Sequence, residues 1–209
     1  SHWTTDARHH EVMKAVLLNS AEKIKDEGDG LLLGMTRTLL TKKNRNWFNS
    51  DAFKNPEIPL DLEMGAGHLN TFRTYEQFEP GQWSPETFVP SKGWNYGNIL
   101  IDTFQDYVLE RSLKEGSYAA ITLAWDRLVE LDDRNQNTRF DRDESFRDRG
   151  LNNLDLYLMS TAESDISKNV CSSISKVDSI EHIFCQIPAT GPYKIRVVYR
   201  DRANEKEQP

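Results

Sequence analysis

The sequence predicts a mainly β protein: an antiparallel β-sandwich preceded by a small α-helical segment. Three observations carry this. Near the N-terminus, Met13, Leu17, Ala21 and Ile24 recur at helical spacing, with Val12, Ala15, Val16 and Leu18 widening the stripe. Past about residue 98 the apolar period changes to two. Between them, Pro85, Pro90, Gly93 and Gly97 interleave with Trp83 and Trp94, the composition of an ordered connection.

Taken in order, the first element is a helix over His10 to Ile24, with Thr4, Thr5 or Asp6 as N-cap and Gly28 as its stop. Leu31 to Pro59 mixes an apolar run, a basic patch at Lys42, Lys43 and Arg45, and aromatics, and reads as an insertion loop with room for a hairpin. A tight glycine turn follows at M-G-A-G-H-L-N, then a short helix over Asn70 to Phe78, closed by Pro80-Gly81. Strands are expected around Tyr107, through Ala119, Ile121, Leu123 and Trp125 on one face, at Leu154, Leu156 and Leu158, over Ile180 to Ile187, and at Tyr193, Ile195, Val197 and Tyr199 with Lys194, Arg196 and Arg200 facing away. The chain therefore divides into a helical segment, 1–81, a linker, 82–98, and the sandwich, 99–209.

Composition narrows the function classes. The 209 residues are 37% hydrophobic and 10% aromatic, enough for a core. Charged residues are dispersed, and the net charge of −7 without a basic stripe excludes a nucleic-acid surface. No apolar run approaches the roughly 20 residues of a bilayer span, so no membrane partner is expected. Ser1 to His10 is polar, unlike a signal peptide, and the absence of an initiator Met is read as processing or truncation. Cys171 and Cys185 lack metal-ligand spacing. They can pair if their strands lie side by side in an oxidising compartment, but the preferred reading makes both small buried hydrophobes, with Cys185 alternating with Ile183 and Ile187.

The sequence holds no G-x-S-x-G nucleophile turn and no motif that makes one of its five histidines a catalytic base. Ser20 is assigned to packing in the helix, His182 to a half-exposed position on a strand, and His9-His10 to a solvated or tag-like stretch with no reason to expect a metal. The carboxylates between Leu131 and Gly150 are more informative. Asp133, Asn135, Asn137, Asp141 and Glu144 occupy positions 1, 3, 5, 9 and 12 of a calcium-loop pattern, where oxygens two residues apart converge on one hard cation. Against calcium stand Thr138 at the position that asks for Gly, flanking strands in place of helices, and Arg134, Arg139, Arg142 and Arg147, which would neutralise the same acids in a salt-bridged loop. No carboxylate pair is singled out for glycoside chemistry. Trp83, Trp94 and Trp125 are expected to pack the linker and the sheet rather than form a sugar platform.

Two N-terminal elements resemble a known family. H-E-V-M-K-A-V-L-L-N-S-A-E-K-I, from His10 to Ile24, is similar to the helix after the nucleophile helix of subtilisin-like serine proteases, P-x-x-x-K-A-x-L-x-N-T-A: Lys14, Ala15 and Leu17 match, Asn19-Ser20-Ala21 stands for N-T-A, and His10 replaces the Pro region. Met64 to Asn70 resembles the G-x-G-x-[VL]-[DN] turn that ends that core, after a longer connection than usual. L-N-N-L-D-L-Y-L, S-I-E-H-I-F and P-A-T-G-P-Y-K-I-R-V resemble the jelly-roll modules, of pre-peptidase or P-domain type, appended to many secreted subtilases.

The family's D-[ST]-G, H-G-T and G-T-S motifs have no counterpart, so no catalytic residue carries over and the chain is expected to be inactive by itself. The resemblance implies the C-terminal part of a secreted or extracytoplasmic subtilase, partnered by the rest of the catalytic domain, with a sandwich that stabilises it or positions a protein substrate. The competing reading is a non-catalytic protein- or carbohydrate-binding module. The first leaves an apolar face of the Val12 to Ile24 helix uncovered; the second buries that helix on its own sandwich.

Overall fold

The computed structural model describes residues 3–203. It is mainly β, with 29% strand and 16% helix, and all named strand pairs are antiparallel. A 3-10 turn, Thr5–Arg8, takes the Thr4 cap, so helix α1, His10–Asn19, starts from His9 with no side-chain cap bond.

Helix α1 is shorter than the apolar pattern predicts. Ser20 turns its hydroxyl back onto the Val16 carbonyl at 2.8 Å, and the backbone then leaves the helix. Glu22 exchanges two 2.8 Å backbone hydrogen bonds with His68 in the glycine turn. Gly67 makes this possible: its φ is +125°, and a Cβ there would collide with the Glu22 carbonyl. Ala21 and Ile24 are still buried, but outside the helix. Long-range pairing has overridden helical periodicity.

The expected hairpin in 31–59 is replaced by turns, a 3-10 turn at Trp47–Asn49 and the single-turn helix α2, Asp51–Lys54. Asp26 orders the start of this region by accepting from the backbone N–H groups of Gly28, Gly30, Leu32 and Gly34. Helix α3, Thr71–Phe78, is capped by Asn70, which accepts from Phe72 N and Arg73 N. The linker is ordered: Trp94 bonds the Phe78 carbonyl through its indole N–H and packs against Val12 and Val16 of α1.

Strands β1, Phe104–Val108, β5, Asn153–Ser160, β6, Cys171–Ser173, and β8, Tyr193–Asp201, form one sheet in the order β1-β8-β5-β6. Strands β2, Tyr118–Ala124, and β7, Ile180–Gln186, form a second, and β3, Val129–Asp132, pairs with β4, Ser145–Asp148. Leu154, Leu156, Leu158, Val197 and Tyr199 of the first sheet share a core with Ile183 of β7 and with Trp125 and Ile187, and Ala119, Ile121 and Leu123 pack on it. The layout is consistent with a β-sandwich.

The outer face of the β2–β7 pair is covered as well. Phe184, Tyr118 and Ala120 join Ile24, Met35, Trp47 and Met64 in a second cluster, so the N-terminal third is a layer laid over that sheet. Cys171 and Cys185 form a disulfide joining β6 to β7, and hence one sheet to the other, in place of the two separate thiols preferred from sequence. On β8 the outward face is not solvent: Lys194 and Arg196 are buried and converge on Asp106 of β1, at 3.1 and 2.6 Å.

Candidate functional site

The loop 133–144 joins β3 to β4 and carries all five residues of the calcium pattern. Asp133 accepts from Asn137 N through one carboxylate oxygen and from Thr138 N, at 2.6 Å, through the other. Asn135 Oδ1 accepts from Asn137 N, and Asn137 Oδ1 from Arg139 N. Asn135 and Asn137 both donate to Asp141 Oδ2, at 2.6 and 2.8 Å. Glu144 is buried, and its two oxygens receive the Arg134 and Asp141 N–H groups.

Thr138 was the objection from sequence. It adopts φ +60°, the left-handed conformation that favours glycine at this place, with its N–H directed at Asp133. The four arginines form no ion pair with these acids among the described residues. The ion pairs here run instead along the hairpin and its flank, Arg149 to Glu130 and Arg127 to Asp148. The side-chain oxygens of the loop are engaged by its own N–H and amide groups, and its three carboxylates are not among the described groups whose ligating atoms lie close enough to share one ion.

The sequence matches no protein-family model and no curated protein.

The described serine and histidine side chains do not assemble a nucleophile with its base. Ser20 bonds Val16 O and Thr74 Oγ1 at the end of α1. His68 lies beside the Arg37 guanidinium, and His9 stacks on Tyr96. His182 is buried rather than half-exposed: the layer over β7 closes on it, with Trp47 edge-on, and its Nδ1 shares a 2.7 Å hydrogen bond with Thr122. Burial, and then the Lys23 charge, hold this imidazole well below its ordinary pKa.

Two further ionisable groups, Lys23 and Glu181, are buried. Lys23 is fully enclosed between the Trp47 and Phe184 rings, each centroid 5.1 Å from Nζ, and burial lowers its pKa to about 7, assisted by Arg73. Glu181 is fully enclosed on the inner face of β7. Burial raises its pKa to about 9, Ser173 donates to Oε2, and Oε1 has no hydrogen bond. Neither lies in an open cleft, so both read as buried structural groups, with the Glu181 carboxyl protonated near pH 7.

A cavity of about 220 Å³ lies between the sheets and α1, lined by Val16, Trp83, Tyr96, Tyr107, Ile121 and Val197. Trp94 and Trp125 are buried, and Trp125 donates to the Asn152 carbonyl within the core, while Trp83 is half-buried in the lining of the cavity. Among the described residues no helix is long and apolar enough to cross a membrane.

Proposed function

We propose that this chain is the C-terminal part of a subtilisin-like serine protease, contributing scaffold rather than chemistry, with a jelly-roll module of pre-peptidase or P-domain type. The observation that carries the reading is the two-sided character of α1. Val12 and Val16 pack inward, while Met13 and Leu17, one turn apart on another face, remain 39% and 37% exposed. The remainder of a catalytic domain would cover that stripe. The disulfide supports a secreted or extracytoplasmic setting. The loop 133–144 belongs to the proposal as a calcium loop that stiffens the β3–β4 hairpin.

The genomic sequence immediately upstream of Ser1 tests the main reading. A helix bearing G-T-S is expected there, and an upstream region without one overturns the proposal. For the loop, calcium is expected to raise the melting temperature of the chain and Asp133→Ala to abolish the rise. A titration giving neither heat nor a shift removes calcium from the account.

A second reading, a self-contained protein- or carbohydrate-binding module, is favoured by one observation: the N-terminal layer shares an apolar cluster with Phe184 and Tyr118 of the β2–β7 sheet. It would use the cavity under α1 as its site.

A further inference from the structure

We propose that His10, Glu11 and Asp126 form a binding site for a divalent first-row transition cation of the zinc class, fastening the start of α1 to the chain just past β2. The proposal does not depend on the protease reading.

One ligating atom from each of the three residues lies within 4.8 Å of the others. His10 Nδ1 stands 3.4 Å from Glu11 Oε2, and His10 Nε2 stands 2.6 Å from Asp126 Oδ2. Zinc binds imidazole nitrogen and carboxylate oxygen at roughly 2.0–2.2 Å, so neighbouring ligands of one tetrahedral ion sit about 3.3 Å apart. An imidazole ligates one ion through a single nitrogen, so the trio, whose ligating atoms lie within 4.8 Å of one another, must rotate about its side chains until one nitrogen and the two carboxylates stand at that spacing.

The second observation is Glu11 itself. Only 8% of this residue is exposed, its Oε2 is fully buried, and that oxygen receives no hydrogen bond. A carboxylate oxygen removed from water without a donor costs free energy, and coordination to a cation compensates that cost. Neither neighbouring imidazole supplies a hydrogen bond, with His10 Nδ1 at 3.4 Å and His9 Nδ1 at 3.9 Å. The surrounding potential is negative: the Tyr96 hydroxyl titrates above its ordinary range, through burial first and then through Glu11, Asp6 and Asp126.

The donor set selects the metal class. Two carboxylates and one neutral imidazole give a site of charge −2 with a nitrogen ligand, which suits zinc and its neighbours, whereas an all-oxygen set suits calcium. His10 and Asp126 are solvent-accessible on their outer sides, at 72% and 47%, leaving a path for the ion and room for water in the remaining position. The function that follows is mechanical: Glu11 belongs to α1 and Asp126 to the sheet region, so one ion crosslinks the two layers.

The test is zinc titration of the full chain by calorimetry, with metal content measured after dialysis and X-ray absorption for the ligand set. The wild-type chain is expected to take up one zinc with an imidazole among its ligands and to melt at a higher temperature when loaded. His10→Ala and Asp126→Asn, both at exposed side chains, are expected to keep the wild-type circular dichroism and to weaken binding at least about tenfold. His68→Ala, an exposed imidazole outside the trio, and Asp133→Ala, in the calcium loop, are expected to bind zinc as the wild type does. A wild-type chain that takes up no zinc, or a His10→Ala chain that binds it with unchanged affinity, overturns the proposal.

Discussion

Glu181 illustrates how burial at one residue becomes a property of the whole chain. Its carboxyl titrates at about 9 in the folded state, against an ordinary value of 4.5, because it is enclosed on β7 near Asp155 and Asp178. A pKa raised on folding means that the unfolded chain releases its proton first as pH rises. The associated stability is complete below about 4.5 and is lost progressively up to about 9. Glu181→Gln, neutral at every pH, is therefore expected to gain melting temperature relative to wild type as pH is raised from 5 to 9, with no growing difference below 4.5. Parallel melting curves across that range would remove Glu181 as a titrating group. Alternation places Glu181 on the buried face with Ile183 and Cys185; what I-E-H-I-F-C-Q does not announce is the burial of His182 on the other face, which alternation alone leaves wet. Here both faces of β7 are covered, one by the opposing sheet and one by the N-terminal layer, so Glu181 and His182 are both enclosed. Lys23 was concealed in the same way, by a helical pattern in a segment that is not helical.

At the scale of elements, the strands were legible wherever apolar residues alternate: β1, β2, β5, β7 and β8 all fall within the stretches the pattern indicates. Helix α3 was legible from Asn70 and its closing Pro80-Gly81. The end of α1 was not, since Ala21 and Ile24 satisfy helical spacing by coincidence while their backbone is drawn toward His68. Gly67→Ala tests that explanation. Its φ of +125° and its contact with Glu22 both oppose a methyl group, and a loss of about 1–3 kcal/mol in chemical denaturation is expected; an unchanged midpoint would show that the pairing tolerates a side chain. The disulfide is a second element-scale test. Joining residues 14 apart, it is expected to contribute about 3 kcal/mol through the unfolded chain, measured as the loss in a Cys171→Ser, Cys185→Ser double variant. A double variant as stable as wild type would mean that the core alone holds the two sheets. The shape of the loop 133–144 was not legible, because nothing in the sequence announces that Thr138 will accept a left-handed backbone.

Across the whole molecule, the chain is layered. The helical N-terminal segment, the β2–β7 pair and the four-stranded sheet stack in that order, held by two apolar clusters and by Trp94 against α1. That layering buries one side of α1 and leaves Met13 and Leu17 on the outside. The most direct test of the scaffold account compares this chain with a longer polypeptide extended by any sequence its gene encodes before Ser1. Both are assayed for peptide hydrolysis and for labelling by a serine-directed fluorophosphonate. The account predicts that only the longer polypeptide is labelled, and that Met13→Glu with Leu17→Glu lowers its melting temperature while leaving the shorter chain within about 0.5 kcal/mol of wild type. Labelling of the short chain by itself, or a longer polypeptide with no serine-dependent hydrolysis, would contradict it.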